Sequence, residues 1–128
     1  MLAAARDRID RYAPADAAAA DAVIVDLRGG ETRARDGIVP GSVHVPRSVL
    51  EWRVEQGSGW ANPHLGGRKL ILLCEHGYSS SLAAASLRDL GVDAGDLEGG
   101  FEAWVAAGLP VAPASPAAAG LPGMGGPE

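Results

Sequence analysis

The sequence predicts an α/β domain built on a mostly parallel sheet, and three observations lead there. Ala22 to Asp26 (AVIVD) and Leu70 to Leu73 (LILL) are short apolar runs of the length of strands covered on both faces. They alternate with stretches of helical spacing, the pattern that crossover helices impose on parallel strands. At 128 residues and 47% hydrophobic content, the chain is long enough for one core and too short for two ordinary domains.

Leu2 to Arg11 has helix-forming composition with alternating charge, and Pro14 opens a second short helix through Ala20. AVIVD is then the first long strand. Leu27 to Gly37 mixes glycines with Arg28, Glu31, Arg33, Arg35 and Asp36, so it is expected as a solvated loop holding at most one helical turn, its charges mostly at the surface. A Pro-Gly turn at Pro40-Gly41 precedes a short strand over Ser42 to Val45. Ser48 is placed to cap a helix to Gln56 with Val49, Trp52 and Glu55 on one side, and Gly57 ends it. Gly57 to Gly67 is dense in breakers and reads as a long surface connection in which Trp60 could shade a site.

After LILL, hydroxyls at Ser79 to Ser81 open a helix whose Ala83, Leu87 and Leu90 share a face, and Gly91 stops it. Val92 to Leu97 is a weaker strand, Glu98-Gly99-Gly100 a turn, and Phe101 to Ala107 a last helix with Trp104 and Val105 three and four residues after Phe101, halted by Gly108 and Pro110. From Ala112 onward the chain is mostly Pro, Ala and Gly with almost no apolar bulk and is expected to be disordered. No internal repeat is present. The expected division is a helical extension over 1–11, a domain over 12–111 and a tail over 112–128.

Composition excludes several function classes. A net charge of −5 with scattered basic residues argues against a nucleic-acid surface. No stretch approaches the roughly 20 apolar residues of a membrane span. A single cysteine forms no internal disulfide, and the start MLAAARDRID is too charged for a secretory signal, so a cytoplasmic protein is expected.

That cysteine, Cys74, follows the LILL strand directly and precedes the helix at Ser79, in a tight loop beyond the carboxyl end of a parallel strand, where ligands of such sheets sit. Unpaired N–H groups and partial positive charge at a helix start favour an anion, lower a thiol pKa, and would equally stabilise a charged sulfur carried on Cys74. The plain alternative is a buried, inert cysteine.

Three marks in order, VDLR at 25–28, IVPGSVHVP at 38–46 and CEHGYSSSLAA at 74–84, followed by LEGGFEAWVAAGLPV at 97–111, resemble the rhodanese domain of sulfurtransferases. The resemblance implies a three-layer fold with a five-stranded, mostly parallel sheet flanked by helices. It also implies that Cys74 attacks the outer sulfur of a small-molecule or protein donor, holds it as a persulfide and passes it to a thiophilic acceptor, without a metal or other cofactor. Glu75, His76, Gly77, Tyr78, Ser79 and Ser80 match the loop whose N–H groups cradle that sulfur. Asp26 and Arg28 match an Asp-x-Arg that in the family buttresses the site, the plain alternative being an ordinary strand-end salt bridge.

There are departures. Ser79 stands where thiosulfate-using members carry a loop arginine, and Glu75 sets a carboxylate beside the nucleophile, where it should oppose a thiolate and a dianionic donor. Asp36-Gly37 replaces a common Gly-His. A retained fold with weak use of thiosulfate is therefore expected, and Arg28, Arg33, Arg47 and Arg53 are candidates for a cation from outside the loop. The alternative is a catalytically quiet module that binds a partner or senses redox state. A phosphatase would need an arginine where Ser79 or Ser80 stands. Cys74 and His76 with His44 or His64 supply enough ligands for zinc, but Cys-x-His has no strong precedent among structural sites. His76 could instead bond a substrate or lower the thiol pKa, and Tyr78 could wall the entrance.

Overall fold

The computed structural model describes residues 2–54, 65 and 67–114. Strands β1 (Arg11–Tyr12), β2 (Val23–Asp26), β3 (Val43–His44), β4 (Leu70–Leu73) and β5 (Ala94–Leu97) form one sheet in the order β1-β5-β4-β2-β3. Every pairing within it is parallel. Helices α1 (Leu2–Arg6), α2 (Pro14–Ala19), α3 (Gly30–Asp36), α4 (Leu50–Val54), α5 (Ser79–Asp89) and α6 (Gly100–Ala106) complete the fold.

The central strand β4 shows why the sequence takes this form. Its four residues are fully buried, and their two-residue alternation splits them between two cores. Leu70 and Leu72 join Val25, Val43, Leu50, Ala83, Ala84 and Leu87, while Ile71 and Leu73 join Val39, Leu97, Phe101 and Trp104. A strand that buries both faces needs an unbroken apolar run, which LILL is.

Several sequence expectations are corrected. The first helix ends at Arg6, and Arg11–Tyr12 is an edge strand, because the β5 backbone captures it: Asp96 N–H donates to Asp10 at 3.1 Å and Glu98 N–H to Tyr12 at 2.8 Å. Pairing outweighs local helix propensity. Residues 30–36 form a seven-residue helix rather than a loop, and Arg28 and Arg33 are buried rather than solvated. A 3₁₀ turn at Arg47–Val49 precedes α4, so Ser48 lies inside that turn rather than at the start of a helix. Leu50 and Val54 face the core there, whereas Trp52 is 43% exposed. Leu90 is half exposed and leaves the α5 stripe to Ala83, Ala84 and Leu87. Ala112, assigned to the tail, pairs with Ile38 through backbone bonds of 2.8 and 2.9 Å. Glu55 to His64 and the tail from residue 115 lie outside the described residues.

Candidate active site

Cys74 leaves the carboxyl end of β4, and the chain turns through Glu75 to Tyr78 into α5. The Cys74 Sγ accepts N–H bonds from Gly77 at 3.1 Å and Ser80 at 3.4 Å, and lies 3.3 Å from the Ser80 hydroxyl. Gly77 adopts φ +84°, and a Cβ there would stand 2.8 Å from the Gly99 nitrogen, so only glycine closes the turn. Burial pushes the thiol pKa up. Hydrogen bonds from the Ser79 and Ser80 hydroxyls and from the Ser80 and Gly77 N–H groups outweigh burial, and the net shift is downward. Cys74 is only 7% exposed.

The loop is fixed from α6. Phe101 N–H donates to the Cys74 carbonyl at 2.8 Å and Glu102 N–H to the Glu75 carbonyl at 3.2 Å. Gly100, at φ +66°, lies against these carbonyls so closely that a Cβ would fall 2.6 Å from the Glu75 oxygen.

Behind the loop is a charged shell that the sequence reading missed. Buried Asp96 of β5 accepts the Ser80 hydroxyl at 2.9 Å, the Ser81 hydroxyl at 2.7 Å and Arg11 Nε at 2.9 Å. Arg6 and Arg11 also donate to the Gly77 carbonyl at 3.0 and 3.2 Å, and Arg6 Nε donates to Ser81 at 3.1 Å. One signal was available: an aspartate in the middle of a strand of a parallel sheet needs a buried partner.

On the other side, Asp26 and Arg28 meet the loop. Asp26 accepts Arg28 through both oxygens at 3.0 and 2.8 Å and Arg33 Nε at 3.1 Å, all three side chains being buried. Arg28 also donates to the Gly37 carbonyl at 2.8 Å, which ties down the Asp36-Gly37 segment, and its guanidinium lies 3.8 Å over the Phe101 ring. Its remaining nitrogen, Nη1, faces Glu75 Oε2 at 4.0 Å. The carboxylate expected to oppose the thiolate is thus turned toward a cation. Arg47 is paired with Glu51 at 2.8 Å. Arg53 has no described side chain.

His76 is exposed at the rim, its Nδ1 2.8 Å from Glu102. Tyr78 is 62% exposed, 6.0 Å from the Arg6 guanidinium, and Ser79 is exposed beside it. His44 Nε2 is bonded to the Arg28 carbonyl at 2.8 Å. Among the described residues no group of three or more His, Cys, Asp and Glu is arranged to hold a metal ion. Trp60 and His64 lie outside the described residues.

The fold recurs among solved structures. A protein of unknown function from Rhodopseudomonas palustris, termed a possible tyrosine phosphatase, is 36% identical with a TM-score of 0.80, over 86% of this chain and 89% of that one. The thiosulfate sulfurtransferase of Pseudomonas aeruginosa is 26% identical with a TM-score of 0.65, over 91% of this chain and 21% of that one. The polysulfide-sulfur transferase of Wolinella succinogenes, a homodimer, is 25% identical with a TM-score of 0.67, over 90% and 86%. Residues 10–107 match the sequence model of the Rhodanese-like domain, and with a parallel five-stranded sheet and a cysteine loop at its strand ends, the chain belongs to that family.

Proposed function

We propose that the protein is a sulfurtransferase in which Cys74 carries sulfane sulfur as a persulfide. The carrying observation is the convergence of two N–H groups and a hydroxyl on one sulfur, at 3.1 to 3.4 Å. Family membership and likeness to two transferases of sulfur support sulfur transfer in general. In the first half of the cycle the Cys74 thiolate attacks the outer sulfur of a donor R–S–S⁻. The donor S–S bond breaks, RS⁻ departs with the electron pair, and Cys74 keeps the outer sulfur. A thiolate or cyanide then attacks that sulfur, and the pair of the breaking bond returns to Sγ. Donors directed at this site approach a sulfur whose loop has Ser79 in place of an arginine, while the nearby Arg28 is bonded to Asp26 and Gly37 and its Nη1 stands 4.0 Å from the Glu75 carboxylate without a hydrogen bond to it. A persulfide of a small thiol or a protein suits it better than thiosulfate, for which one lost charge-assisted bond of about 1.5–3 kcal/mol weakens binding by roughly ten- to a hundredfold. A cytoplasmic setting, where thiols stay reduced, fits such a nucleophile.

The test is thiocyanate formation from cyanide with glutathione persulfide, mercaptopyruvate or thiosulfate, beside mass spectrometry of the protein. Glutathione persulfide should be the best donor, with a gain of about 32 Da, one sulfur atom, on Cys74. Cys74→Ser should abolish both signals. No product with any donor would reject the reading. A second reading, a quiet binding or redox-sensing module, draws on the 7% exposure of Cys74. It requires slow alkylation by iodoacetamide at neutral pH, where a sulfur carrier reacts fast.

A further inference from the structure

The sulfur-transfer cycle leaves one part of the structure unused. Asp96 is fully buried in β5, and its Oδ2 takes both hydroxyls, Ser80 at 2.9 Å and Ser81 at 2.7 Å. Arg11 bonds it across both oxygens, at 2.9 and 3.3 Å. The Ser80 oxygen lies between this carboxylate and the Cys74 sulfur, which is 3.3 Å away. A hydroxyl has one hydrogen to give. It bonds the carboxylate or the sulfur, and the charge on the sulfur decides which.

We propose that the Ser80 hydroxyl is a two-position donor, resting on Asp96 while the Cys74 sulfur is uncharged and turning onto the sulfur when Cys74 is a thiolate, with Asp96 as the positioning residue that sets the rest position. The role in turnover rests on the reading of Cys74 as a sulfur carrier. In the neutral thiol, S–H donates to Ser80 Oγ, and Ser80 donates onward to Asp96, a continuous chain. On ionisation the thiol proton goes to solvent. Ser80 keeps its own hydrogen, which pivots to Sγ, while Asp96 retains both Arg11 contacts and the Ser81 hydroxyl, which is nearer to it at 2.7 Å than to the Gly77 carbonyl at 3.2 Å, and so is not left unpaired. In the persulfide, charge lies on the outer sulfur and the hydroxyl returns to Asp96. When an acceptor takes that sulfur, the electron pair falls back on Sγ and the hydroxyl follows it. The bond therefore strengthens as the leaving thiolate forms, which is the condition for lowering a barrier rather than only binding tighter.

Charged groups face this pair from several elements. Arg6 of α1 and Arg11 of β1 lie behind the loop, Glu75 with Arg28 lies on the other side, and His76 with Glu102 lies at the rim. Among the described residues, none of these groups hydrogen-bonds Ser80, whose partners are Cys74 and Asp96, so a double-substitution cycle separates their fields from the hydroxyl.

The experiment is the pH dependence of Cys74 alkylation by iodoacetamide in the reduced full-length protein, with neither donor nor acceptor present. Ser80→Ala should lower the thiolate fraction roughly tenfold at a pH below the thiol pKa, and Ser80→Thr should restore it. Asp96→Asn should raise the fraction, since the hydroxyl is released to the sulfur and a negative charge is removed. In the Ser80→Ala background that gain should shrink to the charge effect alone. Equal gains in both backgrounds, or no gain from Asp96→Asn, would overturn the proposal. If Asp96→Asn does not fold, Ser81→Ala takes its place. It deprives Asp96 of a donor, so Ser80 is held harder and the thiolate fraction falls; because Ser81 also meets Arg6 and the Gly77 carbonyl, the same change is made in the Ser80→Ala background, where the fall should shrink, and an unchanged fraction or an equal fall in both backgrounds overturns the proposal. Persulfide formation with an additive cycle defeats the switch and spares the sulfur carrier, whereas a coupled cycle with no sulfur uptake does the reverse.

Discussion

At Cys74 two opposed effects act on one atom. Burial disfavours a charged sulfur, and a ring of hydrogen bonds from Ser79, Ser80 and Gly77 favours it more, so the folded thiol titrates below an ordinary cysteine. Because the folded pKa is depressed, thiolate formation adds stability that is fully present above the unfolded cysteine pKa and is lost as pH falls through the folded one. The difference in unfolding free energy between the protein and Cys74→Ala should accordingly grow as pH rises across that window and level off beyond it. Urea titrations at a series of pH values check this, and a difference that falls with pH would mean that burial wins. Glu75 illustrates how a neighbour in sequence need not be an opponent in space: its carboxylate is directed at Arg28, and Arg28 is held in turn by Asp26.

Among the elements, the start of α6 has as much to do with the loop as β4 and α5 do. Gly100 permits the approach that puts the N–H groups of Phe101 and Glu102 on the carbonyls of Cys74 and Glu75. Gly100→Ala should cost more than about 2 kcal/mol in unfolding free energy and slow thiol alkylation, because a left-handed conformation and a collision with loop backbone act together. Gly91→Ala is the control, with φ +81° and nothing within 4 Å of a Cβ, and should cost about 1 kcal/mol without affecting the thiol. How much of this could be read beforehand follows from what a local pattern encodes. LILL before Cys74, the serines after Tyr78 and the carboxylate closing AVIVD carry their meaning in adjacent residues. The strand Arg11–Tyr12 is two residues long and has no period of its own; only its bonds to β5 define it. The α3 helix is likewise anchored outside itself, by Arg33 on Asp26, and Asp96 is explained by Ser80 and Ser81 of α5 together with Arg11, which is 85 residues away in sequence.

For the molecule as a whole, a net charge of −5 sets the terms on which an anion arrives. Like-charge repulsion slows the encounter, and added salt screens it over about 10 Å at 0.1 M. Sulfur transfer from thiosulfate should therefore speed up in kcat/KM as sodium chloride is raised, while alkylation by uncharged iodoacetamide should stay nearly constant. A fall with salt for thiosulfate would point to a local basic approach that overrides the total charge. The strand order adds a constraint on assembly. β1 begins the sheet at one edge but finds its partner only in β5, and Asp96 and Gly100 belong to that same late segment. Long-range pairing of this kind comes late in folding. A chain halted before Ala94 would lack Asp96 and the Phe101 and Glu102 N–H groups that hold the Cys74 loop, so the loop should gain its fixed shape only when this segment docks.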